Sequence, residues 1–412
     1  MQYIYVNYTI AVSRSKLSSK ADFNLDQVKA AVKKSVEIQR RELEELSLKI
    51  HSNPELAMEE VKASGWLCDY LERHGFKVER SFCQLPTAFR ASYGKGKPVI
   101  AFLAEYDALP GLGHGCGHNI IATSSVGAGV AGKVAVDRFG GCLQVIGTPA
   151  EEGLGGKVLL AQRGAFSDVD ATMLVHPGTR DTAMIQSLGC AILDVEFWGK
   201  SAHAASRPEQ GINALEAMIM AFNAINSLRQ HIKDKCRIHG IITDGGQAAN
   251  VVPAHSAGNF MVRAPDDAYL EDLKARVLDC FKGAALASGA RLEYRWADIS
   301  YAPIRANQVL AEVFARNLES LGRRMEPFDP MRSMGSTDMG NVSQLVPAIH
   351  PSIAIAPQSV CNHSPEFAAA AVSEEGHQAL LAAAAAMSMT AAELLGHREL
   401  MAKVKEEFLQ SS

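Results

Sequence analysis

The chain has 412 residues, of which 47% are hydrophobic and 21% are charged, and its formal net charge is −4 at pH 7. These values are typical of a soluble enzyme with two or three domains, and they give no electrostatic reason to expect nucleic acid or a membrane as a partner. No apolar run approaches the ~20 residues of a membrane span, and no basic region of a signal peptide opens the chain. The eight cysteines lack close, repeated spacing, which favours reduced thiols and a cytoplasmic location.

The first part of the chain is predicted to form one α/β unit. Residues 1–22 are expected to be a poorly ordered N-terminal extension, and residues 23–186 the first part of the main domain. Helical periodicity marks residues 26–50 and 64–74, and a short strand is predicted over 76–80. Strands and helices then alternate up to a predicted turn at residues 176–178, which indicates a mainly parallel sheet.

Residues 104–119 form the most informative loop of the chain. This loop follows the apolar run 99–103 and precedes a predicted helix over 120–136. It holds Glu105, Asp107, His114, Cys116 and His118. Loops at the carboxyl ends of strands are where open α/β sheets bind ligands, and thiolate and imidazole groups are metal donors. The loop therefore predicts a metal site.

Further donors follow other apolar runs. Glu151 and Glu152 directly follow residues 143–150, and His176 directly follows residues 171–175. His363 comes a few residues after the run 353–356. One thiolate, three imidazoles and two carboxylates suit one or two divalent ions such as Zn²⁺, with Mn²⁺, Co²⁺ or Ni²⁺ as alternatives. Taken singly, the same residues also fit buried thiols, structural histidines and a solvated acidic turn.

The pattern changes after residue 187. Residues 187–300 are predicted to alternate strand, helix, strand, strand, helix and strand, the order of a ferredoxin-like α+β domain inserted in the chain. Within it, residues 190–198 alternate as an edge strand would, and a long helix is predicted over 208–229. Residues 301–412 then return to the main domain and end in an alanine-rich helix over 368–395.

From about residue 51 onward the chain resembles a known family of dinuclear metallopeptidases. The resemblance rests on Asp-Ala-Leu-Pro at 107–110, Cys-Gly-His at 116–118, Pro-Ala-Glu-Glu-Gly at 149–153 and Gly-Ser-Thr-Asp at 335–338. This family includes aminoacylases, glutamate carboxypeptidases and succinyl-diaminopimelate desuccinylase. The chain is most similar to its amidohydrolase subgroup, that of indole-acetyl-amino-acid hydrolases and aminobenzoyl-glutamate hydrolase. The resemblance implies two metal ions per subunit, zinc or manganese first, and a homodimer formed through an inserted lid and dimerisation domain.

The resemblance also implies a role for individual residues. It makes Glu151 the general base and His203 a catalytic donor to the scissile carbonyl. The implied metal ligands are Cys116, His118, Glu152, His176 and His363. Asn250 and Arg263 are implied to bind substrate, and Asp107 to orient a ligand imidazole. Glu105 stands where the wider family has a ligand histidine, so its contact with metal is left open, as are the roles of His114, Asp338 and His350.

The expected function is metal-dependent hydrolysis of the amide bond of an N-acyl or N-aroyl amino acid, or of a dipeptide, with a free carboxylate. Two alternatives are hydrolysis of another C–N bond, as in a deaminase, and a non-catalytic small-molecule binding protein. A structural zinc protein is disfavoured, because closed structural sites use four protein ligands without a spare carboxylate. Whether His203 and Asn250 serve their own subunit or a partner is open.

Overall fold

The structure is a computed structural model, and it describes residues 20–329 and 335–410. Residues 1–22 were predicted to be a poorly ordered extension, and residues 1–19 of this segment lie outside the described residues. Residues 20–22 belong to the first helix, and the bound of the extension remains a prediction. That helix begins before the predicted residue 26 because its amphipathic period alone does not mark its first turn.

In the main domain, helices cover the two faces of a central sheet, whereas two further helices lie on a second sheet. The helices are α1 (Lys20–His51), α2 (Val61–Arg73), α3 (His118–Phe139), α4 (Gly156–Gln162), α5 (Ala214–Leu228), α6 (Asp267–Ser288), α7 (Gln308–Glu319), α8 (Met339–Ser343), α9 (Pro365–Ala370), α10 (Glu374–Gly396) and α11 (Arg398–Gln410). The strands are β1 (Lys77–Arg80), β2 (Phe89–Lys95), β3 (Val99–Ala104), β4 (Gly141–Gly147), β5 (Ala171–Met173), β6 (His176–Gly178), β7 (Gly189–Trp198), β8 (Arg237–Asp244), β9 (His255–Ala264), β10 (Arg291–Trp296), β11 (Ala348–Ile349) and β12 (Ser352–Ala354).

The central sheet has the strand order β1-β2-β4-β3-β5-β11. Strands β4, β3, β5 and β11 run parallel, whereas β1 and β2 pair antiparallel at one edge. Every residue of β3 and β4 is buried, because successive side chains enter the cores on opposite faces. Phe102 of β3 joins the core under α1, α3 and α10, and its neighbour Leu103 joins the core under α4 and α8. The carboxyl ends of these strands meet at one edge.

Small residues let α3 and α10 pack closely on the sheet and on each other. A Cβ at Gly127 of α3 would lie 2.8 Å from Leu43 of α1 and 3.4 Å from Ala384 of α10. Within the described residues, α3 and α10 are long and apolar enough to cross a membrane, but 89% of an apolar 18-residue stretch of each helix is buried inside the protein. Such burial is typical of core helices, and so the helices provide no argument for a membrane span.

A second sheet, β10-β7-β9-β8, is antiparallel throughout and carries α5 and α6 on one face. We call residues 189–296 the α+β lobe. Its own core includes Phe197, Met218, Phe260 and Phe281. The order of its elements confirms the ferredoxin-like arrangement, whereas the exact domain bounds of 187–300 and 301–412 remain predictions.

Strand β7 was wrongly predicted to lie at an edge of the lobe sheet. It lies between β10 and β9, and β8 and β10 form the edges. The alternating pattern of β7 correctly reports that one face is buried and the other is open. Periodicity carries no information about lateral neighbours, however, since these depend on pairing with distant strands.

Three local predictions also differ from the structure. The predicted turn at 176–178 is strand β6, which pairs in parallel with β12, because three residues are too few to show a period and the partner is distant. The predicted helix 208–229 begins only at Ala214, where Asn213 caps it by accepting from Glu216 N–H. The alanine-rich helix 368–395 is interrupted between α9 and α10, where the Ser373 hydroxyl caps α10.

Candidate metal centre

The donors predicted from sequence lie together at the carboxyl ends of the parallel strands. Cys116 ends the loop after β3, and His118 is the first residue of α3. The glycine between them has a left-handed φ of 77°, and a Cβ there would lie 2.9 Å from Cγ of Pro177. Gly117 therefore allows the Cys116 turn to approach β6, which brings the thiol to His176.

The distances between donor atoms match the spacing of ligands around an ion. Cys116 Sγ lies 3.4 Å from His176 Nε2, His363 Nε2 lies 3.4 Å from Glu152 Oε1, and His118 Nε2 lies 3.8 Å from Glu152 Oε1. Two ligands bound about 2.0–2.3 Å from one ion in tetrahedral geometry are roughly 3.3–3.8 Å apart. The side chains are therefore close to a metal-binding arrangement.

The described residues contain three overlapping donor clusters at this site. Within each cluster the donor atoms lie within 4.8 Å of one another. The clusters are Cys116, His118 and His176; Cys116, Glu152 and His363; and His118, Glu151 and Glu152. Cys116, His118 and Glu152 each belong to two of them, so the three clusters form one continuous site. His363 is the outermost donor, with its side chain 52% exposed.

Two imidazoles are oriented by contacts on the nitrogen that faces away from the cluster. His118 Nδ1 lies 2.9 Å from the Asp107 carbonyl oxygen and 3.1 Å from its Oδ1, and His176 Nδ1 lies 2.6 Å from the Pro177 carbonyl oxygen. Each Nε2 is then directed at the other donors. Buried His118 Nε2 makes no hydrogen bond within the described part of the chain. This orphaned atom and the borderline donor set fit a divalent metal ion.

Burial and neighbouring charges shift the pKa values of the groups in the cluster. Burial raises the pKa of the Cys116 thiol. Burial also raises the pKa of the Glu151 carboxyl well above its usual range, with Glu105 and Asp338 adding to the shift. Burial opposes a charge on His118, but the neighbouring Asp107 carboxylate raises the pKa of this imidazole. By contrast, His363 and His118 lower the pKa of the Glu152 carboxyl against the effect of burial. Bound cations would favour the ionised forms of the acids in this site.

A buried ion-pair network lies beneath the cluster. Lys157 Nζ lies 2.5 Å from Glu105 Oε1 and 2.7 Å from Asp338 Oδ1, and all three side chains are 0% exposed. The other Glu105 oxygen lies 3.5 Å from His118 Nε2. Sequence reasoning left Glu105 and Asp338 unassigned and missed Lys157. The available signal was a lysine directly before the apolar residues 158–160.

The turn that carries Glu151 and Glu152 depends on a second buried acid. Ala150 has a left-handed φ of 61°, and its N–H donates to Glu60 Oε1 at 2.8 Å. Glu60 is 0% exposed and its Oε2 accepts from the Thr87 hydroxyl. Burial raises the pKa of Glu60 to about 7. Strained backbone of this kind persists only where its surroundings hold it, and Glu60, which sequence reasoning missed, is one such support.

His203 and Asn250 lie in the α+β lobe and are both exposed. His203 Nδ1 accepts from the N–H groups of Ala205 and Ser206, and the Asn250 carbonyl accepts from Ala204 N–H. Among the described residues His203 belongs to none of the donor clusters. The fold brings His203 and Asn250 near each other but does not join them to the cluster, so their roles remain predictions.

Arg263, by contrast, reaches the main domain. Its Nη1 lies 3.0 Å from the Ser336 hydroxyl, two residues before Asp338. Its Nε is buried and has no hydrogen-bond partner in the described ranges. The Arg263 guanidinium thus retains donor capacity for an anionic ligand at the boundary between the lobe and the main domain.

An α/β domain with metal donors at its strand ends, joined to an α+β lobe, defines a class of metal-dependent hydrolases. Residues 187–288 match the family model described as a peptidase dimerisation domain. The chain is 37% identical over 384 residues to the Xaa-Arg dipeptidase of Homo sapiens, covering 88% of each chain. It is 36% identical over 300 residues to one of the p-aminobenzoyl-glutamate hydrolase chains of Escherichia coli, covering 66% of this chain and 61% of that one.

A solved structure shows the same fold. A dinuclear metal-binding peptidase of the M20 family from Bacillus subtilis superposes with a TM-score of 0.71 at 19% identity, covering 87% of this chain and 99% of that one. This chain belongs to the M20 family of metallopeptidases. It is a metal-dependent hydrolase of amide bonds, and the predicted fold and enzyme class are confirmed.

Proposed function

We propose that the protein hydrolyses the amide bond that precedes a C-terminal amino acid with a free carboxylate, in a dipeptide or in an N-acyl or N-aroyl amino acid. The observation that carries this proposal is the convergence of Glu151 with the donors Glu152 and His118 in one cluster. A closed structural site has no use for the additional acid, whereas hydrolysis needs a base beside the attacking water.

The proposed cofactor is a pair of divalent ions, zinc or manganese first and cobalt or nickel as alternatives. The residues that would hold the ions are Cys116, His118, Glu152, His176 and His363. When bound, the ions would polarise the scissile carbonyl and lower the pKa of the attacking water.

The chain's own residues supply proton transfer and substrate orientation in this proposal. Glu151 accepts a proton from the attacking water and delivers it to the leaving nitrogen. Arg263 binds the substrate carboxylate through its free donors, while Asn250 contacts the substrate from the lobe. His203 donates a hydrogen bond to the oxygen that gains charge, and this requires movement of its exposed loop or a contribution from a partner subunit.

We further propose a homodimer assembled through the α+β lobe. The match to a dimerisation domain supports this proposal. So do Ile241 and Ile242 on edge strand β8, which are 63% and 40% exposed. All eight cysteines are free thiols, in keeping with the proposed cytoplasmic location.

The direct test loads purified protein with each of the four metals and measures release of amino acid. The substrates are Ala-Arg, Ala-Glu, p-aminobenzoyl-glutamate and hippurate. We expect metal-dependent turnover of at least one of them and its loss in Glu151→Gln. Release of ammonia without amide cleavage would favour the deaminase alternative. Substrate binding without turnover by any metal-loaded form would favour the binding protein.

A further inference from the structure

A mainly apolar cavity of about 250 Å³ lies between the metal-binding turn and the α+β lobe. Gly153 and Leu154, which directly follow Glu152, line it together with Ile192 and Ile299. The volume is slightly below the range of roughly 300–1,000 Å³ that is usual for drug-sized ligands. The cavity therefore suits a single amino-acid side chain beside the reacting bond.

Arg263 is the strand partner of a residue that lines this cavity. Cys190 lines the cavity, and it is the direct partner of Arg263 in the antiparallel pairing of β7 with β9. Side chains of directly opposed residues lie on the same face of a sheet, with Cβ atoms about 4.5–5.5 Å apart. Arg263 therefore projects from the cavity's side of the lobe sheet. A ligand carboxylate held there leaves its side chain to enter the apolar space.

The cavity also contains one acid without a partner. Asp298 lines it and is exposed, and no described residue forms an ion pair with its carboxylate. Arg295 also lines the cavity, but its guanidinium lies 3.2 Å from the Asp194 carboxylate on β7, which offsets its charge. A second cavity is lined by Asn362 and Glu326. The Glu326 carboxylate is not comparable with that of Asp298, because Arg180 already pairs with it at 2.6 Å.

We propose that this cavity is a specificity pocket for a basic C-terminal residue, with Asp298 as the residue that selects the positive charge. The carboxylate of the substrate's C-terminal residue binds Arg263. The aliphatic part of that residue's side chain packs on Leu154, Ile192 and Ile299, and the positive charge at its end lies beside Asp298. A glutamate side chain would place like charge against Asp298, so the pocket selects against it. This inference rests on the proposed amide hydrolysis and names the preferred substrate class within it.

The test compares Ala-Arg with Ala-citrulline, which has nearly the same shape without the charge. We expect the wild type to show a kcat/KM for Ala-Arg about tenfold above that for Ala-citrulline, equivalent to about 1.4 kcal/mol. In Asp298→Asn this ratio should fall towards one, and in Asp298→Lys the ratio of Ala-Glu to Ala-Arg should rise above its wild-type value. The control is Asp234→Asn, which removes an exposed acid of the same lobe outside the cavity and should keep the wild-type ratios.

A binding measurement separates this inference from the proposed function. Calorimetry on Glu151→Gln should show tighter binding of free arginine than of citrulline, and the difference should be lost when Asp298→Asn is added. Amide hydrolysis with an Ala-Arg preference that Asp298→Asn does not change would overturn the pocket assignment and leave the proposed function intact. Absence of hydrolysis of every amide, with an arginine preference that depends on Asp298, would overturn the function and leave a basic-ligand pocket.

Discussion

Lys157 and Asp338 are paired twice although they lie 181 positions apart: Lys157 Nζ donates to Asp338 Oδ1 at 2.7 Å, and Lys157 N–H donates to Asp338 Oδ2 at 2.9 Å. This pair joins the helix after the Glu151 turn to the segment whose Ser336 holds Arg263. The contact therefore connects the proposed metal centre with the proposed carboxylate site through buried charge.

Replacement of Lys157 by methionine should destabilise the protein strongly. The substitution leaves Glu105 and Asp338 as two buried carboxylates without their cation, and breaking such a pair costs about 3–5 kcal/mol. Urea unfolding of the metal-free protein measures the loss. Lys282→Met is the control, because its ion pair with Asp279 is exposed and worth little. Equal midpoints for the two variants would contradict this account, and adding Asp338→Asn to Lys157→Met should recover part of the loss.

Glu151 and Glu152 should differ in what their replacement removes. Glu151→Gln should abolish turnover while metal content stays near the wild-type value, since only the proposed base changes. Glu152→Gln should lower metal content, because Glu152 Oε1 lies 3.4 Å from His363 and 3.8 Å from His118 among the donor atoms. Elemental analysis of dialysed protein is the measurement. The opposite pattern would mean that the two roles are exchanged.

Gly156→Ala should impair the metal centre without touching a donor. A Cβ at this position would lie 1.7 Å from the Pro149 carbonyl oxygen, so the turn that carries Glu151 and Glu152 must move. We expect at least a tenfold loss of metal affinity, measured by competition with a chelator. Gly283→Ala is the control, because its Cβ meets nothing within 4 Å. Unchanged affinity in Gly156→Ala would show that the turn can relax without displacing its carboxylates.

Stability of the α+β lobe should depend on pH through His255. This ring lies 2.7 Å from Asp244 and 3.0 Å from Glu196. Burial opposes the charge, but the two carboxylates raise the pKa of His255 above its usual value of 6.5. A raised folded-state pKa gives stabilisation that is fully present below the unfolded-state pKa and is lost as pH rises through the folded-state pKa. The denaturant concentration at the unfolding midpoint should therefore fall as the pH is raised from about 6 to about 8. His255→Gln should make this fall smaller.

A dimer with shared sites should allow two inactive chains to complement each other. His203 is exposed in the lobe and makes its contacts there, so it is free to serve a partner's metal centre. After verified subunit exchange, a mixture of Glu151→Gln and His203→Ala chains should recover part of the activity. A mixture that remains inactive would place His203 in its own subunit's site or outside catalysis.

Local sequence was sufficient for the features that depend on neighbours along the chain. The buried runs of β3 and β4 were predicted correctly, because parallel strands buried on both faces appear as continuous apolar residues. The alternation of β7 likewise indicated one buried face. The motif at residues 116–118 pointed to Cys116 and His118, which lie in one candidate donor group with His176.

The remaining features arise from contacts between distant segments. The interior place of β7 depends on pairing with β9 and β10, and the strand at His176 exists because β12 lies beside it. Lys157 is an ordinary lysine in the sequence and becomes part of the site only when folding buries it between Glu105 and Asp338. Burial and charge pairing are properties of the packed chain, and neither periodicity nor spacing reports which distant residue supplies the opposite charge.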